Sequence, residues 1–384
     1  MNEATVAEHT HAIPEAIFAS HEVRLAGQQW IVAAALIVLA FASMPSMWQE
    51  VEKFLPGPDY RTPYALSNDY WLFSRYSRWA ASRADTLVIG DSVIWGQYVG
   101  KDQTLPHYLN QLAGQDRFVN MGVDGLHPAA LAGLIKHYGR PISGRKVIVY
   151  CNLLWMSSKR HDLQVEKETP FNHPALVPQF FPRIPCYRAP WSQRVDIVFH
   201  QNVPLLGWTD HLRVAYFDQM SIPAWTTKSP YQSVSKTALR GLPPPDDGPH
   251  QEPIPWTERG MEKQDFPWVE LDSSFQWGSF RKALETLQAR GNRVFVVVGP
   301  FNEHMLQPAS LEAYARLREG VAGWLREHGI AYYMAPALPS KHYADASHPL
   351  SEGYAALAKE LYADPAFARF DADERGIASP KGGA

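Results

Sequence analysis

Cysteine is scarce in this chain, and its cysteines and histidines do not have the spacing of metal ligands. Among 384 residues there are two cysteines, Cys151 and Cys186, without metal-ligand spacing. Cys151 lies in an apolar run, which predicts a buried structural thiol, and a disulfide stays open but nothing indicates it. The histidines are scattered in the same way. We therefore predict no metal and no cofactor.

Charge is sparse and nearly balanced. Charged residues make up 20% of the chain, and the formal net charge is −3. A nucleic-acid-binding surface needs an excess of Lys and Arg, so we predict no nucleic-acid partner. The 31 prolines and 13 tryptophans indicate instead a globular protein with many loops and aromatic contacts.

One stretch near the N-terminus has no charge at all. No side chain between 25 and 49 is charged, and Trp30 and Trp48 bound the most apolar part. At about 1.5 Å per residue, such a helix just crosses a hydrocarbon core of about 30 Å. We predict a transmembrane helix over 29–48 with the lipid bilayer as its partner. A buried core helix and a cleaved signal peptide, for which Ala-Phe-Ala at 40–42 is suitable, are the alternatives.

The residues around this helix are expected to lie outside the bilayer. Residues 1–28 form a polar tail, and 49–65 form a linker because Pro-Gly-Pro at 56–58 breaks the chain. Basic residues occur on both sides of the apolar run, so they do not specify its orientation.

Beyond the linker, short apolar runs alternate with stretches of helical periodicity. Strands separated by helices predict an α/β fold of three layers, with a doubly wound, mostly parallel five-stranded sheet. The predicted strands are 86–89, 117–121, 146–152, 293–298 and 330–334. The predicted helices are 66–83, 104–114, 128–139, 277–291, 309–328 and 351–362.

Domain boundaries follow from the same pattern. Residues 66–154 and 276–365 are expected to form one domain. The interval 155–275, between the third and fourth strands, is rich in proline and aromatic residues and has no clear period. We expect it to be an inserted lid or substrate-facing subdomain. Residues 366–384 are expected to be a flexible C-terminal tail.

The first strand ends at Gly90-Asp91-Ser92, a turn sequence expected where a helix follows a strand. Ser92 would lie at the C-terminal edge of the sheet, where open α/β sheets bind ligands and helix N–H groups face a developing negative charge. This makes Ser92 a candidate nucleophile. The alternative is an ordinary helix N-cap.

A serine nucleophile needs a base, and the base needs an orienting acid. Asp345 and His348 are three residues apart in a predicted loop before the last helical stretch. That spacing lets the carboxylate accept from one imidazole nitrogen while the other nitrogen faces a serine. The alternative is an aspartate that caps a turn beside a surface histidine.

Other polar residues follow strands at the same edge. The sequence Asn-Met-Gly-Val-Asp-Gly at 120–125 follows the second strand, and its glycines let backbone N–H groups approach a ligand. Asn152 ends the third strand and could add a side-chain donor. Asn302, Glu303 and His304 follow the fourth strand and are candidate substrate contacts. Ordinary turn or capping roles are the alternative for each.

Taken in order, these blocks resemble those of the SGNH, or GDSL, hydrolase superfamily over residues 84–154 and 290–363. The resemblance implies a flavodoxin-like three-layer fold. The third block departs from the family pattern, since Gly-x-Asn-Asp is usual and Tyr-Cys-Asn-Leu stands at 150–153. This departure bears on Asn152 more than on the other residues.

The resemblance also implies a role for each candidate residue. Ser92 would be the nucleophile, His348 the base and Asp345 its orienting acid. The oxyanion hole would consist of the Ser92 N–H, the Gly122 N–H and the Asn152 side chain.

An anchor before such a domain resembles the architecture of bacterial SGNH-like proteins that add or remove acetyl groups on cell-surface polysaccharides. We therefore expect a membrane-anchored serine acyl hydrolase or O-acyltransferase acting on O-acetylated carbohydrate. Its expected location is a bacterial inner membrane, single-pass, with the catalytic domain periplasmic or otherwise extracytoplasmic. A membrane-bound polysaccharide biosynthesis protein is a candidate partner. The alternative is a non-catalytic SGNH-like assembly or glycan-binding protein.

Overall fold

The computed structural model describes residues 26–83 and 86–372, so the predicted tails up to residue 25 and from residue 373 lie outside the described residues. The strands are β1 (Thr86–Gly90), β2 (Phe118–Gly122), β3 (Lys146–Cys151), β4 (Arg293–Val298) and β5 (Ala331–Met334). All neighbours pair in parallel, in the order β2-β1-β3-β4-β5. The predicted α/β fold with a parallel five-stranded sheet is confirmed.

The direction in which strands are added changes between β1 and β3. From β1 the chain goes outward to β2, then returns to the other side of β1 and adds β3, β4 and β5 in turn. In open α/β sheets, ligands bind at the carboxyl ends of the strands at such a switch point. The residues that follow β1 and β3 therefore lie where a ligand crevice is expected.

The described residues form helices before, between and after the strands. They are α1 (Gly27–Val51), α2 (Tyr70–Ser82), α3 (Ser92–Trp95), α4 (Leu105–Ala113), α5 (Pro128–His137), α6 (Trp191–Asn202), α7 (Pro204–Tyr216), α8 (Ile222–Lys228), α9 (Val234–Ala238), α10 (Phe275–Ala289), α11 (Pro308–Glu327), α12 (Ser351–Ala363) and α13 (Pro365–Ala372).

Helices cover both faces of the sheet, because successive strand residues point to opposite faces. On one face Ile89 and Val149 belong to a buried cluster that includes residues of α5, α10 and α11. On the other face Val88 and Ile148 belong to a cluster that includes residues of α4, α12 and α13. Burial on both faces explains why these strands are continuous apolar runs.

The N-terminal helix α1 is slightly longer than the predicted span. Its apolar side chains are mostly exposed, and among its residues Pro45 is the buried one. This exposure argues against a core helix. Within the described part of the chain, α1 is the one helix long and apolar enough to cross a membrane.

The segment predicted as a linker, 49–65, packs against the domain instead. Buried Glu52 directly follows α1, and its Oε1 lies 2.8 Å from Nε2 of His211 in α7. The other ring nitrogen of His211 lies 2.7 Å from Asp69 Oδ2. Arg75 of α2 forms an ion pair with Glu52. Charged partners far away in sequence thus fix the end of α1, and a Pro-Gly-Pro break could not reveal them.

The 155–275 segment is less irregular than its sequence indicates, because it contains α6 to α9. Helix α7 packs on α1 and α2, and Tyr216 of α7 and Trp225 of α8 are buried with Leu66 and Leu72. Helices α6 and α9 bury none of their residues fully, and α7 packs against several neighbours, so no single apolar face marks these helices in the sequence.

The first part of the segment predicted to be a flexible tail, 366–384, is helical instead. Residues Pro365–Ala372 form α13, and its Phe367 and Phe370 are buried. Both rings contact Phe295 of β4, with centroids 5.4 and 5.2 Å away. Two phenylalanines three residues apart share one face of a helix, and their burial attaches this segment to the sheet.

Candidate active site

Ser92, His348 and Asp345 are brought together at the carboxyl end of the sheet. Ser92 Oγ lies 2.8 Å from His348 Nε2, and His348 Nδ1 lies 2.8 Å from each Asp345 carboxylate oxygen. The residues Ser92 and His348 are each 7% exposed. This geometry allows the hydroxyl proton to pass to an imidazole that a carboxylate holds in place.

The loop before α12 positions Asp345 and His348 through its own backbone. Asp345 Oδ1 accepts hydrogen bonds from the N–H groups of Ser347 and His348, both at 2.9 Å. Burial would raise the pKa of Asp345, but the neighbouring His348 and these N–H groups lower it to about 2. Asp345 is therefore ionised wherever the imidazole titrates.

The carboxylates around His348 favour its charged form. Burial alone would lower the pKa of His348, but Asp345, Asp91 and Asp124 together raise it above its ordinary value of 6.5. A base that is stabilised as it takes up a proton is what activation of a hydroxyl requires.

The turn that carries Ser92 is capped by its neighbour. Asp91 is the N-cap of α3, and its Oδ1 accepts from the Val93 N–H at 3.0 Å. A Cβ on Gly90 would lie 2.5 Å from Cγ1 of Ile94, so the turn needs glycine there. Because Asp91 supplies the cap, the Ser92 hydroxyl is left to contact His348.

The other end of α3 is held by Arg61 from the predicted linker. Arg61 is fully buried, and its Nη1 donates to the carbonyls of Trp95, Gly96 and Val99 at 3.2, 2.8 and 3.0 Å. Its guanidinium also lies 4.2 Å from the centroid of the Trp95 ring. The Trp95 indole N–H donates to the Thr62 carbonyl at 2.7 Å. The chain between α1 and α2 thus directly supports the turn that carries Ser92.

Asn152 lies beside this turn. Its Nδ2 donates to Asp91 Oδ2 at 2.7 Å, and its Oδ1 accepts from the Leu154 N–H at 3.0 Å. The indole N–H of Trp155 donates to the same Asp91 oxygen at 2.9 Å. Asp91 therefore fixes the Asn152 amide, which keeps its second N–H for a ligand.

The Gly122 N–H was expected to face the oxyanion. In the structure it donates to Asn120 Oδ1 at 2.9 Å. A Cβ there would lie 2.2 Å from the Trp95 backbone nitrogen, so Gly122 serves close packing of β2 against α3. Gly125 has a φ of +67°, and its N–H makes no hydrogen bond within residues 26–83 and 86–372. Gly125 is thus the glycine of this motif with an N–H to offer. The sequence contains both glycines but does not show which N–H the Asn120 side chain occupies.

The three candidate substrate contacts after β4 have structural partners. Asn302 is fully buried, and its Nδ2 donates to the Asp345 carbonyl at 3.0 Å. Glu303 accepts from Arg318 at 3.1 Å, and His304 Nε2 lies 3.0 Å from the Leu338 carbonyl. Asn302 therefore supports the loop that carries Asp345 and His348. Glu303 and His304 make structural contacts near this loop.

Sequence reasoning missed several residues around the triad. The ring of Tyr98 meets His348 edge-on with centroids 5.3 Å apart, and the Arg259 guanidinium lies 4.7 Å from the Tyr98 centroid. The capping role of Asp91 could have been found from its position before a helix. No sequence signal marks Arg61, Tyr98 or Arg259, because each contact joins distant parts of the chain.

The described residues provide neither an activated thiol nor a cluster of metal ligands near the triad. Cys151 and Cys186 are buried free thiols, and burial raises the pKa of Cys151. A thiol that stays protonated is a poor nucleophile. Among the described residues, no group of three His, Cys, Asp or Glu side chains could hold a metal ion.

No protein-family model matches this chain, and no curated protein matches it. What the site can do therefore follows from its geometry. A hydroxyl, an imidazole and a carboxylate are in hydrogen-bond contact at the end of β1, and amide donors from neighbouring strand ends accompany them.

Proposed function

We propose that the protein is a membrane-anchored serine acyl hydrolase or O-acyltransferase, with O-acetylated carbohydrate as its substrate. The observation that carries this proposal is the 2.8 Å contact of Ser92 Oγ with His348 Nε2, while Asp345 holds the other ring nitrogen. The same Ser-His-Asp relay performs acyl transfer on unrelated folds. It is also the arrangement expected of the SGNH, or GDSL, superfamily that the sequence blocks resemble.

In the proposed reaction, Ser92 Oγ attacks the ester carbonyl carbon while His348 Nε2 takes the hydroxyl proton. Asp345 stabilises the resulting imidazolium. The tetrahedral intermediate collapses when His348 gives its proton to the departing alcohol, which leaves the acyl group on Ser92. His348 then deprotonates water or a sugar hydroxyl, whose oxygen attacks the acyl carbon. The bond from Ser92 Oγ to the acyl group breaks as His348 returns the proton to Ser92 Oγ.

The negative charge on the carbonyl oxygen needs donors already in place. The Ser92 N–H makes no hydrogen bond to other described residues, and Asn152 keeps one free amide N–H. We include the Gly125 N–H as the third donor, in place of Gly122. Loss of one such donor typically slows an enzyme by about 10² to 10³-fold.

The proposed location rests on α1, which is long, apolar and exposed. In this proposal α1 crosses the membrane once and the domain lies outside the cytoplasm. A C-terminal reporter that fluoresces only in the cytosol should stay dark in cells, and a bright signal would reverse the orientation. A membrane-bound polysaccharide biosynthesis protein remains the proposed partner.

The nucleophile is tested with the full chain in detergent. We expect hydrolysis of p-nitrophenyl acetate and labelling of Ser92 by a fluorophosphonate, located by mass spectrometry. Ser92→Ala should lower turnover by about 10⁴-fold or more, because the acyl-enzyme cannot form. Ser82→Ala removes an exposed hydroxyl that, among the described residues, donates a hydrogen bond to the nearby Trp79 carbonyl, and it should behave as wild type.

The outcomes separate the competing functions. An unlabelled wild type without turnover would overturn the catalytic proposal and favour a non-catalytic assembly or glycan-binding protein. An active Ser92→Ala variant would mean that another group is the nucleophile. Adding a sugar acceptor separates transfer from hydrolysis, because a transferase should then form an acylated sugar.

A further inference from the structure

A polar groove adjoins the candidate active site. It has a volume of about 380 Å³, and Tyr64, Asn68, Asp124, Asn172 and Gln219 are among its lining residues. The ring of Tyr64 meets that of Trp95, in the short helix that begins with Ser92, with centroids 5.9 Å apart. The groove therefore begins beside the turn that carries Ser92.

The groove continues away from the triad into a second cavity. This cavity has a volume of about 310 Å³ and shares Asn68, Pro174 and Gln219 with the first. Trp71 and Tyr138 are among its other lining residues. A ligand that occupies both cavities must be long, and only one of its units can present an ester to Ser92.

The hydrogen-bonding groups of the groove are available. The Asp124 carboxylate and the side-chain amides of Asn172 and Gln219 make no hydrogen bond to the residues that the structure describes. A carboxylate accepts hydrogen bonds, and amides both donate and accept them, so together they suit a ligand rich in hydroxyl groups. Tyr64 adds an aromatic ring that stacks on His250 at a centroid distance of 3.4 Å and is 38% exposed.

Charge narrows the class of ligand. The lining of the first cavity includes the Asp124 carboxylate and no Lys or Arg. His173 also lines it, but its ring nitrogens already contact the Tyr70 hydroxyl and the Asp124 carbonyl at 3.0 and 2.6 Å. Burial lowers the pKa of His173, which keeps it neutral. Nothing in this cavity would balance the charge of an anionic polymer, and the Arg213 and His211 side chains that line the second cavity are already paired with Asp210 and Asp69.

We propose that this groove binds several consecutive units of an uncharged polysaccharide, one of which presents its acyl ester to Ser92. The inference rests on the proposed function for the ester chemistry, and it adds the length and charge of the substrate. Unpartnered Asp124, Asn172 and Gln219 contact sugar hydroxyls, and the ring of Tyr64 faces a sugar ring.

The test measures binding and chemistry separately. Full-length Ser92→Ala protein in detergent is titrated calorimetrically with O-acetylated xylo-oligosaccharides of two and six units, and with an O-acetylated galacturonate hexamer. We expect the neutral hexamer to bind about tenfold or more tightly than the dimer, because only the hexamer reaches the second cavity. The anionic hexamer should bind about tenfold more weakly than the neutral one at low salt.

Variants locate the binding site. On the Ser92→Ala background, Asn172→Ala and Gln219→Ala should each weaken binding of the neutral hexamer about threefold to tenfold, the usual value of one lost hydrogen bond. Gln232→Ala, an exposed glutamine outside the groove, should bind the hexamer as the parent protein does. Thermal unfolding of each variant checks that it is folded.

Each result bears on one proposal at a time. Equal binding of dimer and hexamer, equal binding of the anionic hexamer, or no effect of both groove variants would overturn the groove proposal. Labelling of Ser92 in the wild type decides the catalytic proposal independently. Hexamer binding without labelling would leave a glycan-binding protein, whereas labelling without hexamer binding would leave an esterase for other substrates.

Discussion

Replacing Arg61 by methionine should slow acylation of Ser92 although the triad itself is unchanged. Arg61 is buried and donates to three carbonyls at the end of α3, the four-residue helix that begins with Ser92. Its guanidinium also donates to the carbonyls of Asp246 and Gly248, so it joins the nucleophile turn to a distant loop. Methionine fills much of the same space but donates no hydrogen bond.

The size of the effect follows from these contacts. Each buried carbonyl that loses its partner costs about 1 to 3 kcal/mol, so loss of the three partners at the end of α3 should lower the free energy of unfolding of Arg61→Met by about 3 to 9 kcal/mol. The end of α3 should also relax. Since a displacement of about 1 Å can cost about 100-fold in rate, we expect kcat for a small ester to fall about 10-fold to 100-fold. The KM should change little, because Arg61 is buried away from solvent.

The assay compares kcat, fluorophosphonate labelling rate and unfolding temperature for Arg61→Met, Arg61→Lys and Arg78→Met. Lysine can donate to one or two of the carbonyls, so its kcat should lie between wild type and methionine. Arg78 is an exposed arginine of α2 that donates to Gln49, and Arg78→Met should retain the wild-type rate. A wild-type kcat in a folded but less stable Arg61 variant would refute the positioning role. If the methionine variant does not fold, the lysine variant decides the question in the same way.

Two further predictions concern pH. Burial alone would lower the pKa of His348, but nearby carboxylates raise it above 6.5. Only the neutral imidazole accepts a proton, so kcat/KM for an ester should rise with pH and reach half its maximum at a pH above 6.5. A midpoint below pH 6.5 would contradict the raised pKa. Burial would likewise lower the pKa of His211, but the carboxylates on both sides raise it to about 9. Its charge therefore contributes about 3 kcal/mol of stability below pH 6.5, which is lost as pH rises through about 9. Between pH 6.5 and about 9, the unfolding temperature of wild type should fall by about 4 °C more than that of His211→Gln. Equal falls in the two proteins would refute a charged, stabilising His211.

The sheet was predictable because parallel strands are buried on both faces and are therefore continuous apolar runs. The third strand was expected at 146–152 and is found at Lys146–Cys151, and the fifth was expected at 330–334 and is found at Ala331–Met334. Helix α13 was missed because its two buried phenylalanines become recognisable only when a partner face on the sheet is known. The helices of the 155–275 segment were missed for a similar reason.

The candidate residues were predictable where spacing along the chain carries the signal and not where contacts cross the chain. Ser92 was selected because it follows a strand at the edge where ligands bind, and Asp345 and His348 because their spacing lets a carboxylate orient an imidazole. The choice between Gly122 and Gly125 depends on which N–H the Asn120 side chain occupies, and spacing does not contain that information. The sequence also gives no reason to connect an arginine at 61 with a helix that begins at 92.

The same contacts limit how far the site can lie from the bilayer. If α1 spans the membrane, the nine residues from Lys53 to Arg61 can cover about 30 Å at full extension. The Arg61 side chain and the short helix α3 add about 10 Å between this segment and Ser92. Ser92 therefore lies within about 40 Å of the end of α1, where Glu52 and His211 join that end to the domain. An enzyme held in this way would act on polymer that is brought to the membrane surface, in agreement with the proposed groove for several units of one polymer chain.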